Sequence, residues 1–213
     1  MKTMYLKLSP ILTFISFLTF ISCQKDNNNI IDKIELIPLK TGNTWTYENY
    51  RSNILIDTSL IQIGDYININ GNKGYKFISG DYPLHETFIA DNDIEGDFVT
   101  IGGYSDTDSL FAPSIDYKRN AIKGDSWDYQ EISFDQSGIF KMTLIKVYCT
   151  NTDTMIDTHK GLFNCKVYKW SPNLGEDNFF EYISENVGIV KMEHFENNKL
   201  FTNTILLDYK INK

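Results

Sequence analysis

From about residue 40 to the end, apolar and polar positions alternate in short runs broken at close intervals by turn residues. In residues 201–211 the odd positions are mostly apolar and the even ones mostly polar. Phe163, Cys165 and Val167 share one face against Asn164 and Lys166, and Phe140, Met142 and Leu144 share another. Side chains of a strand point alternately to its two faces, so a period of two predicts half-buried antiparallel strands. Turn signals punctuate the runs at Gly42-Asn43, Asn70-Gly71-Asn72, Gly80-Asp81, Glu95-Gly96-Asp97, Gly102-Gly103, Gly124-Asp125, Gln136-Ser137-Gly138, Lys160-Gly161 and Asn197-Asn198. No amphipathic helix longer than two turns is visible. The expected class is all-β.

The first residues follow a different pattern. Lys2 and Lys7 precede a mostly apolar run from 8 to 21, too short for a confident membrane span and placed like the apolar part of an export signal. Phe20-Ile21-Ser22-Cys23 follows, and it resembles the lipobox of bacterial lipoproteins. The resemblance implies acylation of the Cys23 thiol and cleavage just before it; the alternative is an ordinary signal with an incidental cysteine. Residues 24–29 are polar and suit a flexible tether behind acyl chains. The expected organisation is a signal at 1–22, a lipidated Cys23 with a tether at 23–35, and a β domain at 36–213. Cys23-Gln24-Lys25-Asp26 also resembles the export signal of Bacteroidota lipoproteins, which implies outer-membrane anchorage with a slight preference for the cell surface over the periplasmic face.

Charge narrows the partners. Removing Lys2 and Lys7 from 20 basic residues leaves 18 against 28 acidic ones, a balance of −10. Such a chain repels nucleic acid and anionic lipid, which leaves the acyl chains as its membrane contact. The lipobox resemblance implies as partners the membrane, through acyl chains on Cys23, and the lipoprotein processing and export machinery; a protein or small-molecule ligand is not named by the sequence.

Gly42-Asn43-Thr44-Trp45-Thr46-Tyr47 recurs as Gly124-Asp125-Ser126-Trp127-Asp128-Tyr129, 82 positions on. This predicts two related halves, about 36–116 and 117–213. Trp45, Tyr47, Trp127 and Tyr129 are candidate ligand-facing aromatics for a sugar or lipid; paired aromatics on strands also serve as structural plugs.

Residues 37–47, the run Gly161-Leu162-Phe163-Asn164-Cys165-Lys166-Val167-Tyr168, and Tyr182-Ile183-Ser184 with Val187-Gly188-Ile189-Val190-Lys191 resemble motifs of a group of Bacteroidota envelope lipoproteins. That resemblance implies a curved antiparallel sheet or open half-barrel, like those of periplasmic lipoprotein carriers, and implies no particular reaction.

Chemical motifs are sparse. His85, His159 and His194 lack zinc-site spacing, and no Gly-x-Ser-x-Gly elbow occurs. Residues 91–97 carry alternate acids followed by Gly, like the first half of a calcium loop, but Gly102 stands where a bidentate Glu is needed. An acidic turn joining strands at 88–90 and 98–101 is the preferred reading. No cofactor or metal site is expected. A hairpin turning at residues 159–162 would pair Thr158 with Phe163 and set Cys165 opposite Ile156, which argues against a Cys149–Cys165 bridge. The role expected of the mature chain is non-catalytic binding or accessory work in the envelope. The alternatives are a hydrolase of glycan or ester bonds and a structural subunit of a surface complex.

Overall fold

Strand after strand turns back on its predecessor, so the chain builds one antiparallel meander. The computed structural model describes residues 34–79, 87–104, 108–134, 140–172 and 177–212. Its twelve strands are β1 (Thr44–Arg51), β2 (Ile54–Ile69), β3 (Asn72–Ser79), β4 (Thr87–Asn92), β5 (Phe98–Tyr104), β6 (Ser109–Tyr117), β7 (Ser126–Phe134), β8 (Phe140–Thr158), β9 (Gly161–Pro172), β10 (Asn178–Ser184), β11 (Gly188–Glu196) and β12 (Lys199–Lys210). They form one sheet in the order β6-β5-β4-β3-β2-β1-β12-β11-β10-β9-β8-β7. The first and last strands of the meander therefore pair at its centre, and β6 and β7 are its edges.

Those edges meet. The Trp127 indole N–H donates to the Ile115 carbonyl (2.8 Å), and the Gln130 amide donates to Ser114 Oγ (2.8 Å). The sheet is thus curled into a nearly closed barrel whose seam is held by side chains instead of a ladder. Register shifts in most of the ladders, such as those between Thr46 and Tyr47 and between Ile89 and Ala90, bend the strands enough to curl. Curling also shields two edges that would otherwise template aggregation.

Local chemistry places the turns. Asn70-Gly71 and Asn197-Asn198 both take positive φ, as two-residue hairpin turns require. Ser52-Asn53 does the same between β1 and β2, where no turn is expected from the sequence. Gly102-Gly103 is a correction, because both glycines lie inside β5. A Cβ on Gly102 would stand 2.5 Å from the Leu110 carbonyl oxygen, so this glycine permits the close approach of β6. Gly80-Asp81 and Gln136-Ser137-Gly138 lie outside the described residues.

The β8–β9 hairpin is tighter than expected. Thr158 pairs with Gly161 across a loop of His159 and Lys160, and Cys165 faces Thr154 instead of Ile156. Gly161 takes φ +121°, and Thr158 Oγ1 both accepts from the Lys160 amide and donates to the Gly161 carbonyl. Those bonds close the loop two residues earlier. Cys149 and Cys165 are free and buried. On β8 the face of Met142 and Leu144 points outward, while Ile145, Val147 and Cys149 are buried. Pairing with β7 sets this, since Trp127 faces Val147 and Tyr129 faces Ile145.

One end of the barrel is stoppered. Leu36, Ile37 and Leu39 are buried. The segment is tied to the β4–β5 side by Asn92 Nδ2 donating to the Ile37 carbonyl, and to the β10–β11 turn by the Asn186 amide donating to the Glu35 carbonyl. Among the described residues no helix is long and apolar enough to cross a membrane.

Candidate functional site

Above the stopper the strands enclose a half-open cavity of about 800 Å³, a size typical of small-molecule sites. Its wall draws on strands from around the barrel. A run of aromatic rings crosses the seam: Phe77 to Phe98 (6.0 Å between centroids), Phe98 to Tyr117 (5.7 Å), Tyr117 to Trp170 (5.5 Å) and Trp170 to Tyr129 (4.8 Å). All five line the cavity. Beside them stand the carboxylates Asp116, Glu131, Asp177 and Glu181, and no Lys, Arg or His is among the described lining residues.

A bulge puts two consecutive residues of β6 on that wall. Phe98 pairs with Tyr117 and Val99 with Ile115, which leaves Asp116 as the extra residue. Neighbours in a regular strand face opposite ways, but here Asp116 and Tyr117 are both buried and both line the cavity. Thr100 holds Asp116 with two hydrogen bonds, its amide to Oδ1 (2.8 Å) and its hydroxyl to Oδ2 (2.7 Å). From the opposite wall, Glu181 on β10 accepts a short hydrogen bond from the Tyr117 hydroxyl (2.5 Å). The buried Trp170 indole N–H lies near enough to Glu181 to favour its anion, yet closes no regular hydrogen bond.

The electrostatics follow from this enclosure. Burial pushes the Asp116 carboxyl up to about 7; the Thr100 bonds oppose the shift and the Glu181 charge adds to it. Burial likewise raises Glu181 to about 6, against the pull of Tyr117 and Trp170. Burial also raises Glu131. No basic side chain contributes to the balance at Asp116 or Glu181. Two carboxyl groups in one cavity with raised affinities for protons can serve as hydrogen-bond partners, as proton donors, or as counter-charges for a ligand.

The repeated motif sits at the start of β1 and of β7, and its hydrogen bonds recur. The Gly42 amide donates to the Ile63 carbonyl (2.8 Å), and the Ile63 amide to the Asn43 carbonyl (2.9 Å). The Gly124 amide donates to the Cys149 carbonyl (2.8 Å), and the Cys149 amide to the Asp125 carbonyl (2.9 Å). Cys149 thus occupies the place of Ile63, as a small core residue. Trp45, Tyr47, Trp127 and Tyr129 are 2%, 1%, 8% and 6% exposed. Only Tyr129 reaches the cavity. Cys23 lies outside the described residues.

Of residues 91–97, Asp91 and Asn92 end β4 and residues 93–97 form the turn to β5. Asp93 Oδ1 accepts from the amides of Glu95 and Asp97, Asp97 Oδ1 accepts from the Arg119 amide, and Gly96 takes φ +86°. Among the described residues no group of three His, Cys, Asp or Glu side chains could hold a metal ion. His159 pairs with Glu48 (3.2 Å), and His194 stacks on Phe179 (4.1 Å). His85 lies outside the described residues. The sequence reading missed Asp116, Tyr117, Trp170 and Glu181. A signal was present, since Asp116 and Glu181 are acids inside strongly apolar strand runs, where charge is costly unless it serves something.

No family model and no curated protein matches the chain. Two crystal structures are similar in fold. One is described as an exported protein with YmcC-like fold from Bacteroides fragilis NCTC 9343 (14% identity, TM-score 0.48), the other as a lipoprotein from Parabacteroides distasonis ATCC 8503 (16%, 0.45). Each match covers 84% of this chain and all of the other.

Proposed function

We propose that this chain is a cell-envelope lipoprotein, anchored to the outer membrane through acyl chains on Cys23, whose barrel binds a small ligand without transforming it. The observation that carries the binding role is the half-open interior cavity with its aromatic wall. The anchor rests on the lipobox at 20–23 and the polar stretch behind it. A tether and a hollow domain suit capture or transfer of a ligand at a membrane surface.

Two measurements test this. Cys23→Ala should abolish palmitate labelling; labelling that survives refutes the anchor. Native mass spectrometry of gently purified protein should show a non-covalent small molecule, absent from Ala90→Phe, where a ring would fill the cavity that Ala90 lines. An empty wild-type cavity would refute the binding role. Protease added to intact cells should remove the domain if it is displayed at the surface, and full protection would place it inside.

A second reading is favoured by the carboxyl pair. Asp116 and Glu181 converge on one cavity, as a hydrolase of glycan or ester bonds requires. Against it, both Asp116 oxygens are held by Thr100, which leaves that carboxylate anchored instead of free to attack or shuttle. Turnover of such a substrate that Glu181→Gln abolishes would decide for the hydrolase.

A further inference from the structure

We propose that the interior cavity takes an organic cation, an ammonium or quaternary amine carried on an apolar body. The inference rests on the binding role above and names its ligand class.

The wall has two features that meet at one place. Asp116 and Glu181 face each other's side of the cavity, with Glu131 and Asp177 also on its lining, and no described lining residue is basic. A carboxylate withdrawn from water needs an opposite charge or a proton. Among the described lining residues neither Lys nor Arg nor His stands there, so the charge these carboxylates call for is one that a ligand or a proton can bring.

The second feature is the file of rings from Phe77 through Phe98, Tyr117 and Trp170 to Tyr129. Aromatic faces attract cations, most strongly where water is excluded, and their surface also buries an apolar body. Acids beside aromatic faces are the complement of an amine with a hydrophobic tail. The same wall repels an anion. It also disfavours a zwitterionic phospholipid head, whose phosphate would meet the same carboxylates. A bare metal ion is poorly served, because Asp116 is already engaged by Thr100 and Glu181 by Tyr117.

Protons compete with such a ligand. The titratable groups facing the two carboxyls are Tyr117 on β6, Tyr129 and Glu131 on β7, Tyr47 on β1, and each other. Raised proton affinities at Asp116 and Glu181 mean that a cation displaces protons near neutrality, so its affinity rises with pH.

Three probes with one body test the charge: 3-phenylpropylamine, 3-phenylpropanol and 3-phenylpropanoate, titrated calorimetrically into the purified protein. At pH 8 the amine should bind saturably and at least tenfold tighter than the alcohol, and the acid should not bind. The amine's affinity should fall more than tenfold from pH 8 to pH 5, while the alcohol's stays level. Glu181→Gln should weaken the amine about tenfold and leave the alcohol unchanged. Equal binding of all three, or preference for the alcohol or the acid, overturns the cation assignment and leaves the cavity as a binding site. Failure of every probe to bind overturns both. The pH series on wild-type protein decides the matter even if the variant misfolds.

Discussion

The same six-residue pattern opens β1 and β7, and the two copies do different things. Around β1, Trp45 donates to the Val187 carbonyl (2.6 Å) and Tyr47 to the Ile189 carbonyl (3.0 Å). Both side chains are consumed by structure. Around β7, Trp127 reaches across the seam to β6, and Tyr129 stands on the cavity wall close enough to Asp116 to favour its anion. The local backbone is alike, down to the paired amide bonds of Gly42 and Gly124. The difference lies in the neighbour. β1 has β12 hydrogen-bonded beside it, whereas β7 has the unladdered edge β6, where a bulge turns Asp116 inward. A repeat supplies two equal frames, and the seam makes one of them a site.

The largest test of this contrast is truncation of the indoles. Trp45→Ala should cost about 3–5 kcal/mol, through lost burial and a cavity that neighbours only partly fill. Trp127→Ala should cost a similar amount and also open the seam. Hydrogen exchange should then quicken in β6 and β7 for Trp127→Ala, and more generally for Trp45→Ala. Matching exchange patterns would erase the distinction between the two frames.

The next effect is pH dependence. Asp116 and Glu181 hold their protons more tightly folded, at about 7 and about 6, than at the ordinary 3.8 and 4.5 of an exposed carboxyl. Such groups contribute fully below pH 4. Between pH 4 and 7 the unfolded chain binds fewer protons, so stability falls as pH rises, and it levels off above. The combined loss is on the order of 6 kcal/mol, most of it from Asp116. In urea titrations at pH 4 to 8, Asp116→Asn should remove most of that slope and be more stable than wild type at pH 8. An unchanged slope would mean that Asp116 titrates normally.

Smaller effects separate the tyrosines. Tyr47→Phe leaves the buried Ile189 carbonyl without its donor and should cost about 1–3 kcal/mol. Tyr129→Phe should cost less, but should push Asp116 still higher by removing a donor to its anion, as carboxyl NMR titration would show. Equal stability losses with no change at Asp116 would put both hydroxyls in the same structural role.

The smallest test compares the glycines. Gly42 and Gly124 take φ of +85° and +100°, so Ala is strained at either, by about 1 kcal/mol. At Gly42 the new methyl also meets Asn212 Nδ2 at 3.0 Å, whereas nothing lies within 4 Å at Gly124. Thermal melts should therefore rank Gly42→Ala below Gly124→Ala, and the reverse order would contradict the packing at the C-terminus.

Much of the architecture is written locally. Alternation along residues 201–211, Asn-Gly and Asn-Asn turns, and the repeated Gly-x-x-Trp-x-Tyr frame all act over a few residues, because side-chain parity and positive φ are properties of short peptides. From these the all-β class and its antiparallel strands were readable, while the curvature of the sheet was only implied by the resemblance to Bacteroidota lipoproteins. Tertiary structure decided the rest. Whether Gly102 bends the chain or admits a neighbour depended on where β6 came to lie. The loop between Thr158 and Gly161 closed two residues early because a threonine hydroxyl could bond across it. Asp116 and Glu181 belong to strands on opposite walls, and a bulge aims one toward the other. No window of sequence contains both, so the cavity and its charge exist only once the sheet has curled and brought its edges together.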